Sequence, residues 1–200
     1  MAKAGTRTPA ALGFRVKSGW AATVLLSGPV KTPCVLDRCI LHLSDPNVEA
    51  SKQPYHAAMG ILQCDAGKIE RLRKLIVRAT ERGFIELMER YRAAGYEIVG
   101  CGLVVGSDID PAKITNTHIR AHALEGRLFR TVLEDAARSF RLNSLVLVER
   151  RAYAQAAREL KRSEAELRRT VAEIGRSIDG PWRADEKMAT LAAWLVAAQA

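Results

Sequence analysis

The sequence has few aromatic residues and no long hydrophobic run. Phe, Trp and Tyr together make up 6% of the 200 residues. No stretch approaches the 18 consecutive apolar residues that a membrane-spanning helix needs, so the sequence predicts no membrane segment. The first residues also lack the apolar core of a secretion signal. Without either signal, we expect a cytoplasmic protein.

Cysteine motifs and nucleophile motifs are missing as well. The four cysteines, at positions 34, 39, 64 and 101, form no C-x-x-C pair. Three of them lie in or beside apolar runs, which indicates reduced, buried thiols and not a disulfide framework. The G-x-x-x-x-G-K-[ST] loop of P-loop proteins is absent. No Ser/His/Asp or Cys/His set points to nucleophilic catalysis.

What the sequence does have is an ordinary globular composition with an excess of positive charge. Apolar residues make up 48% of the chain, and 31 Lys and Arg against 22 Asp and Glu give a formal net charge of +9. A positive field of this size attracts nucleic acid, acidic proteins or anionic lipid. Because the cations alternate with Glu, solvated basic helix faces without a ligand are an equal alternative.

The order of apolar runs predicts the secondary structure. Alternating or continuous apolar runs of strand length lie at 12–16, 20–26, 34–43, 96–105 and 144–149. Helical patterns cover 68–94, 117–142, 152–177 and 185–199. Asp65 is placed to cap the first helix and Gly95 to end it. The glycines in the strand at 96–105 indicate a bulge or a close backbone approach.

This order predicts a mixed α/β fold. The first three strands follow one another directly and are expected to pair antiparallel, while later strands alternate with helices and are expected to pair parallel. Right-handed crossovers then place helices on both faces of the sheet. The length suits a single domain over residues 12–200, preceded by a disordered leader at 1–11.

A long loop is expected at residues 44–67, with at most one helical turn near 55–62. Loops of this length are often functional, so the segment 51–56, with Lys52, is a candidate contact. A plain surface excursion is the alternative.

The most site-like stretch is NTHIRAHALEG at 116–126. On a helix, His118, His122 and Glu125 share one face. Two imidazoles and a carboxylate suit zinc or another divalent metal, or a general base near neutral pH. Ile119 stands where metalloproteases have a glutamate, which argues against protease chemistry. Polar side chains on a helix surface are the alternative.

Two loops flank this helix at the expected carboxyl edge of the sheet, where open α/β sheets bind ligands. Asp108 lies in the loop before the helix, whose N-terminus suits phosphate. The Lys17-Ser18-Gly19 turn is suited to a phosphate through its N–H groups and the lysine. A simple β-turn is the alternative.

An arginine-rich helical stretch follows the last strand. Its cations are Arg150, Arg151, Arg158, Lys161, Arg162, Arg168 and Arg169. Together with Trp182 and Arg183 they suit a phosphate backbone. The equal alternative is an exposed helix with i,i+4 pairs to glutamates.

Two short stretches resemble the ribonuclease H-like superfamily, in particular its Holliday-junction-resolvase branch with the RuvC-like proteins. FRVKSGWA at 14–21 resembles the turn between the first two strands of that family, and RADEKMA at 183–189 resembles the start of its last helix. The order of elements over residues 12–199 is similar. The resemblance implies a three-layer fold with a five-stranded mixed sheet.

In active members of the superfamily, carboxylates on the first strand, after the fourth strand and on the last helix hold two magnesium ions about 4 Å apart. The resemblance places Asp108 and Asp185 at the second and third positions. The first-strand segment, GFRVK at 13–17, holds no acid, and a cation there repels magnesium. The resemblance therefore implies the fold without the two-metal nuclease centre.

The resulting hypothesis is a protein that binds nucleic acid or a phosphorylated ligand, with catalysis left open. Its candidate catalytic residues are Asp108, His122, Glu125 and Asp185. Its candidate phosphate contacts are Lys17, Ser18, Lys52, His118, Arg183 and Lys187. One alternative is a phosphodiesterase with magnesium, manganese or zinc at His118, His122 and Glu125. The other is a non-catalytic interaction module that docks through 152–177.

Overall fold

The computed structural model describes residues 6–57 and 60–200, except for the side chain of Ser177. Its strands are β1 (Thr8–Lys17), β2 (Trp20–Ser27), β3 (Cys34–His42), β4 (Tyr96–Val105) and β5 (Ser144–Val148). Its α-helices are α1 (Ala66–Ala93), α2 (Thr117–Ser139), α3 (Glu149–Leu160), α4 (Glu164–Ile174) and α5 (Ala184–Ala197). Within the described part of the chain, no helix has the length and hydropathy to cross a bilayer.

The five strands form one mixed sheet in the order β3-β2-β1-β4-β5. β2 pairs antiparallel with both β1 and β3. β4 pairs parallel with both β1 and β5, after helical crossovers. The prediction of antiparallel hairpins followed by parallel pairing is confirmed. β1 lies at the centre, so its carboxyl end is flanked by the loops of its neighbours.

Helices cover both faces of the sheet, as expected. On one face, Phe14 of β1 packs in a cluster with Phe84 of α1 and Phe129 of α2. On the other face, Val24 and Val104 pack in a second cluster with α3, α4 and α5. Strand residues alternate between the two clusters, because successive side chains of a strand point to opposite faces.

Glycines allow α5 to lie directly on the sheet. A Cβ added to Gly13 would lie 1.8 Å from the carbonyl oxygen of Ala189, and one added to Gly102 would lie 2.5 Å from that of Ala192. The predicted close backbone approach in β4 is therefore confirmed at Gly102. Because Gly13 faces α5, Arg15 and Lys17 at alternate positions of β1 face the same helix.

Several predicted boundaries are wrong. β1 begins at Thr8, so residues 8–11 of the predicted leader belong to the sheet; Pro9 weakens the strand pattern there. Residues 1–5 lie outside the described residues. The helix expected at 152–177 is two helices, α3 and α4. They are separated at Lys161, which has a φ of 53°, and α4 starts with a capping box from Ser163 to Glu166.

The long loop between β3 and α1 is also organised differently from the prediction. A 3-10 turn forms at Glu49–Lys52, and a β-bridge joins His56 and Leu62. The helical turn predicted near 55–62 includes residues 58 and 59, which lie outside the described residues. The hydroxyl of the buried Ser51 donates to the carbonyl of Val48 at 2.6 Å and fixes the 3-10 turn. The helix caps were predicted correctly: Asp65 accepts from the N–H of Lys68, and Gly95 follows α1 with a φ of 86°.

Candidate functional site

A buried arginine lies near the carboxyl end of the central strand. Arg15 is only 4% exposed. Its Nη2 forms an ion pair with a carboxylate oxygen of Glu149, and its Nε lies 3.8 Å from Oδ1 of Asp185. Its Nη1 donates to the carbonyl of Val16 at 2.8 Å. The guanidinium is therefore hydrogen-bonded to Glu149 and to the backbone, and Asp185 lies within ion-pair distance of its Nε, which has no hydrogen-bond partner among the described residues.

Three elements deliver the groups of this ion cluster. Glu149 is the first residue of α3, directly after β5, and Asp185 lies in the first turn of α5. Lys17, the last residue of β1, places its Nζ 3.0 Å from Oδ1 of Asp185. Arg15, Lys17, Glu149 and Asp185, here called the Arg15 cluster, thus gather at one edge of the sheet.

The Arg15 cluster does not fit a two-magnesium centre. Glu149 and Asp185 supply the oxygen ligands that magnesium prefers. Arg15, however, carries a permanent charge, is hydrogen-bonded to Glu149 and lies within ion-pair distance of Asp185. A second cation at this point would be repelled by the guanidinium and would compete for the same oxygens. The first strand therefore has no acid to bind a metal, and its Arg15 neutralises the two acids that remain at this edge.

A cavity of about 330 Å³ opens beside the Arg15 cluster. Its walls come from the end of β1 and its turn, from the loop after β4 and from α2. The lining includes Arg15, Lys17, Ser18, Gly106, Ser107, Ile119 and His122. The carboxyl ends of the two central parallel strands thus border one cavity, where the sequence placed the candidate cleft.

Asp108, expected at this point, is turned elsewhere. It forms an ion pair with Arg151 at 2.7 Å and lines a neighbouring cavity of about 420 Å³ together with Asp110 and Arg127. The acid that joins Asp185 at the Arg15 cluster is instead Glu149, which the sequence analysis missed. The sequence contained one indication of this role: Glu149 directly follows the short apolar strand β5, whose carboxyl end reaches the same edge of the sheet.

The other predicted phosphate contacts lie outside the cavity. Lys52 forms an ion pair with Glu49 at 2.7 Å and packs beside the β1–β2 turn at Gly19. Arg183 is the residue before α5 and donates its backbone N–H to Glu186 at 3.1 Å. Lys187 lies in the first turns of α5. Of the six predicted contacts, only Lys17 and Ser18 line the cavity.

Three histidines form a second polar cluster next to this cavity. One ring nitrogen from each of His56, His118 and His122 lies within 4.8 Å of the other two. The Nε2 atoms of His118 and His122 are 3.2 Å apart. His122 also lines the cavity of the Arg15 cluster. The predicted pair on α2 is thus joined by a third imidazole from the long loop.

Glu125 lies behind the histidines and is completely buried. Its Oε1 lies 2.7 Å from Nδ1 of His56, and its Oε2 lies 3.6 Å from Nδ1 of His122. Burial raises the pKa of Glu125, and the hydrogen bond with His56 opposes that rise. Partial burial and the neighbouring imidazoles lower the pKa of His122.

His56 was missed as a partner of the α2 histidines. The segment 51–56 stood out in the sequence as part of a long loop, but no periodicity connects a loop residue to a helix face. Only the packing of the bridge at His56 and Leu62 against α2 brings the imidazole to Glu125.

The arginine-rich stretch is partly occupied by structural contacts. The guanidinium of Arg162 lies over the Trp194 ring, and that of Arg168 lies 3.9 Å from the centre of the Tyr153 ring. Arg151 is paired with Asp108. These contacts join α3 and α4 to each other, to α5 and to the loop after β4, and they leave fewer cations for a ligand.

Comparisons with known proteins support the fold. No protein-family model and no curated protein sequence matches the chain. Among solved structures, RuvC of Thermus thermophilus matches with a TM-score of 0.55 and 10% identity, covering 93% of this chain and 92% of RuvC. T. thermophilus RuvC in complex with a Holliday junction substrate matches with the same TM-score and 11% identity, covering 93% and 90%.

The chain therefore has a ribonuclease H-like fold. More particularly, it has the RuvC-like form of that fold over most of its length, with an arginine and no acid in the 13–17 segment of the first strand.

Proposed function

We propose that this protein binds nucleic acid at the carboxyl edge of its sheet and does not cleave it by two-metal chemistry. The observation that carries the proposal is the ion pairing of Arg15 with Glu149 and Asp185. It fills the centre of the edge with a cation where the fold resemblance implies metal-binding carboxylates.

The charge of the molecule supports a polyanionic ligand. The net charge is +9, and Lys17 and Ser18 line the cavity beside the Arg15 cluster. The side chain of Lys17 is 35% exposed, so its ammonium is accessible from the cavity side. Because T. thermophilus RuvC, with the same fold, was determined with a Holliday junction, a DNA four-way junction is the first probe to use.

The test measures binding of a fluorescent four-way junction, a linear duplex and a single strand by anisotropy, between about 50 and 200 mM salt. We expect saturable binding that weakens steeply with salt. Lys17→Ala should weaken binding several-fold and lower the salt slope by about 0.9, the contribution of one phosphate contact. Lys31→Ala is the matched control, since Lys31 is exposed and lies in the loop after β2, at the opposite edge of the sheet.

Incubation of the bound junction with magnesium or manganese should leave the DNA intact. Metal-dependent cleavage by the purified wild-type protein would contradict the proposal. Equal effects of Lys17→Ala and Lys31→Ala would show that binding is a property of the whole basic surface and would remove the proposed site. Absence of binding to all three probes would remove the nucleic-acid function.

A further inference from the structure

We infer that His56, His118 and His122 form a binding site for one divalent transition metal, zinc by preference, in which Glu125 positions His56. The metal ligands are three imidazoles. The site therefore differs from the magnesium-binding carboxylates that the family resemblance implies, and from the set of His118, His122 and Glu125 predicted on α2. It is independent of the proposed nucleic-acid binding.

Hydrogen bonds fix which nitrogen of two rings faces the cluster. Nδ1 of His118 lies 3.1 Å from the carbonyl oxygen of Gly60. A carbonyl only accepts, so this Nδ1 carries the proton and Nε2 keeps a free lone pair. Nδ1 of His56 lies 2.7 Å from the carboxylate of Glu125, which likewise favours a proton on Nδ1. In both rings Nε2 is left to bind another group.

Ring nitrogens of the three histidines meet within 4.8 Å of one another. Nε2 of His118 and Nε2 of His122 are 3.2 Å apart. The side chain of His56 is only 9% exposed, and its buried Nε2 has no hydrogen-bond partner among residues 6–57 and 60–200. Nε2 of His122 can carry a proton and donate to Nε2 of His118, and a bound metal ion would replace that proton. Tetrahedral zinc with Zn–N bonds of roughly 2.0–2.1 Å requires N···N separations of about 3.3 Å. The His118–His122 pair matches this spacing at 3.2 Å, and a ring nitrogen of His56 lies within 4.8 Å of both rings.

Glu125 acts behind the ligands as a positioning residue. Metal-bound histidines usually donate their other ring N–H to a carboxylate or carbonyl, which fixes the ring orientation. Glu125 faces His56 in this way, and its second oxygen lies 3.6 Å from Nδ1 of His122. The carbonyl of Gly60 does the same for His118. Gly60 has a φ of 74°, and a Cβ there would lie 3.0 Å from Nδ1 of His118, so a glycine suits this contact.

The donor set selects the metal class. Three neutral imidazoles suit zinc, copper or nickel, whereas magnesium prefers oxygen ligands. His118 and His122 are exposed on one side, so water can supply a fourth ligand. Three protein ligands with one open position are the pattern of catalytic zinc sites.

Isothermal titration of the chelator-treated 200-residue protein with zinc tests the inference. We expect about one equivalent to bind, and cobalt to give the absorption spectrum of a four-coordinate site. His56→Ala, His118→Ala and His122→Ala should each weaken zinc binding by at least about 100-fold, and Glu125→Gln by about 10–100-fold. His42→Ala is the matched control, because His42 is the fourth histidine of the chain and is exposed on β3.

Circular dichroism would verify that each variant is folded, and the exposed position of His118 keeps the test valid if the buried Glu125 variant unfolds. Failure of the wild type to bind zinc would overturn the inference. So would unchanged zinc affinity of His56→Ala, which would leave only an ordinary histidine pair on α2. Lys17→Ala should bind zinc normally, so a failure of this site is distinguishable from a failure of the nucleic-acid proposal.

Discussion

The ammonium of Lys17 lies 3.0 Å from a carboxylate oxygen of Asp185. This pair joins the last residue of the central strand to the first turn of the last helix. Two residues far apart in the sequence thereby meet at one edge of the sheet, directly beside the buried Arg15. The edge carries balanced charge, with two cations and two carboxylates in the Arg15 cluster.

Replacing Arg15 by an acid should turn the cluster into a metal site. In Arg15→Asp, the new carboxylate is expected to join those of Glu149 and Asp185, which the guanidinium neutralises in the wild type. Hard divalent cations prefer such oxygen ligands. We expect the variant to bind manganese, measured by electron paramagnetic resonance, and the wild type to bind none at this point.

Arg15→Asn is the control for this change, since it removes the cation without adding a charge. Equal manganese affinity in Arg15→Asp and Arg15→Asn would contradict the interpretation that Arg15 occupies the position of a metal.

Removing the guanidinium without adding an acid should destabilise the fold. In Arg15→Met, Glu149 and Asp185 lose their shared partner. Their side chains are 40% and 27% exposed, so water can partly replace it. We expect a loss of about 2 kcal/mol in unfolding free energy by urea titration, below the 3–5 kcal/mol typical of fully buried pairs.

Arg150→Met is the matched control for that measurement. Arg150 is exposed on α3 next to Glu149, and surface substitutions of this kind change stability by about 0.5 kcal/mol or less. A similar loss in both variants would indicate a general effect of charge and not the ion cluster.

The contact between α5 and the sheet should be intolerant of any side chain at Gly13. A Cβ there would overlap the backbone of Ala189, which cannot move without displacing α5. Overpacking of this kind costs roughly 1–3 kcal/mol or more. Thermal denaturation of Gly13→Ala should therefore show a clearly lower midpoint, with the Arg15 cluster disturbed.

The same glycine-to-alanine change at Gly126 should raise the stability of the fold instead of lowering it. Gly126 is an exposed residue of α2 with open space around it. Alanine in a helix is favoured over glycine by about 1 kcal/mol, so this variant should be more stable than the wild type. Equal tolerance at the two positions would argue against the packing of α5 described above.

Thiol reactivity should separate the four cysteines. Burial raises the pKa of the Cys101 thiol to about 12. A raised pKa means that this thiol stays protonated at about pH 8, and thiols react as thiolates. Cys34 and Cys64 are exposed, so a native-state alkylation time course should label these two first and Cys101 last.

Mass spectrometry of digested protein assigns each label, and the same reaction in denaturant should modify all four cysteines. Rapid labelling of Cys101 in the folded protein would show that β4 is not buried as described. The prediction of buried thiols beside apolar runs is wrong for Cys34, which is exposed.

Much of the fold followed from local patterns. Apolar runs and helical periodicity located the five strands and most helices, because burial of one face imposes a period that is visible in sequence. Capping residues such as Asp65 and Gly95 marked helix ends through their own backbone chemistry. The division between α3 and α4 was also encoded, in the Ser163 to Glu166 box, but the strong helical pattern on either side concealed it.

The candidate sites were determined less completely by the sequence. It fixed that His118, His122 and Glu125 share a helix face, and that the first strand carries Arg15 in place of an acid. It did not fix that His56 joins the histidines, that Glu149 joins Asp185, or that Asp108 turns to Arg151. Those contacts link residues from different elements, and only the crossing of strands and helices in three dimensions decides which of many available carboxylates and imidazoles become neighbours.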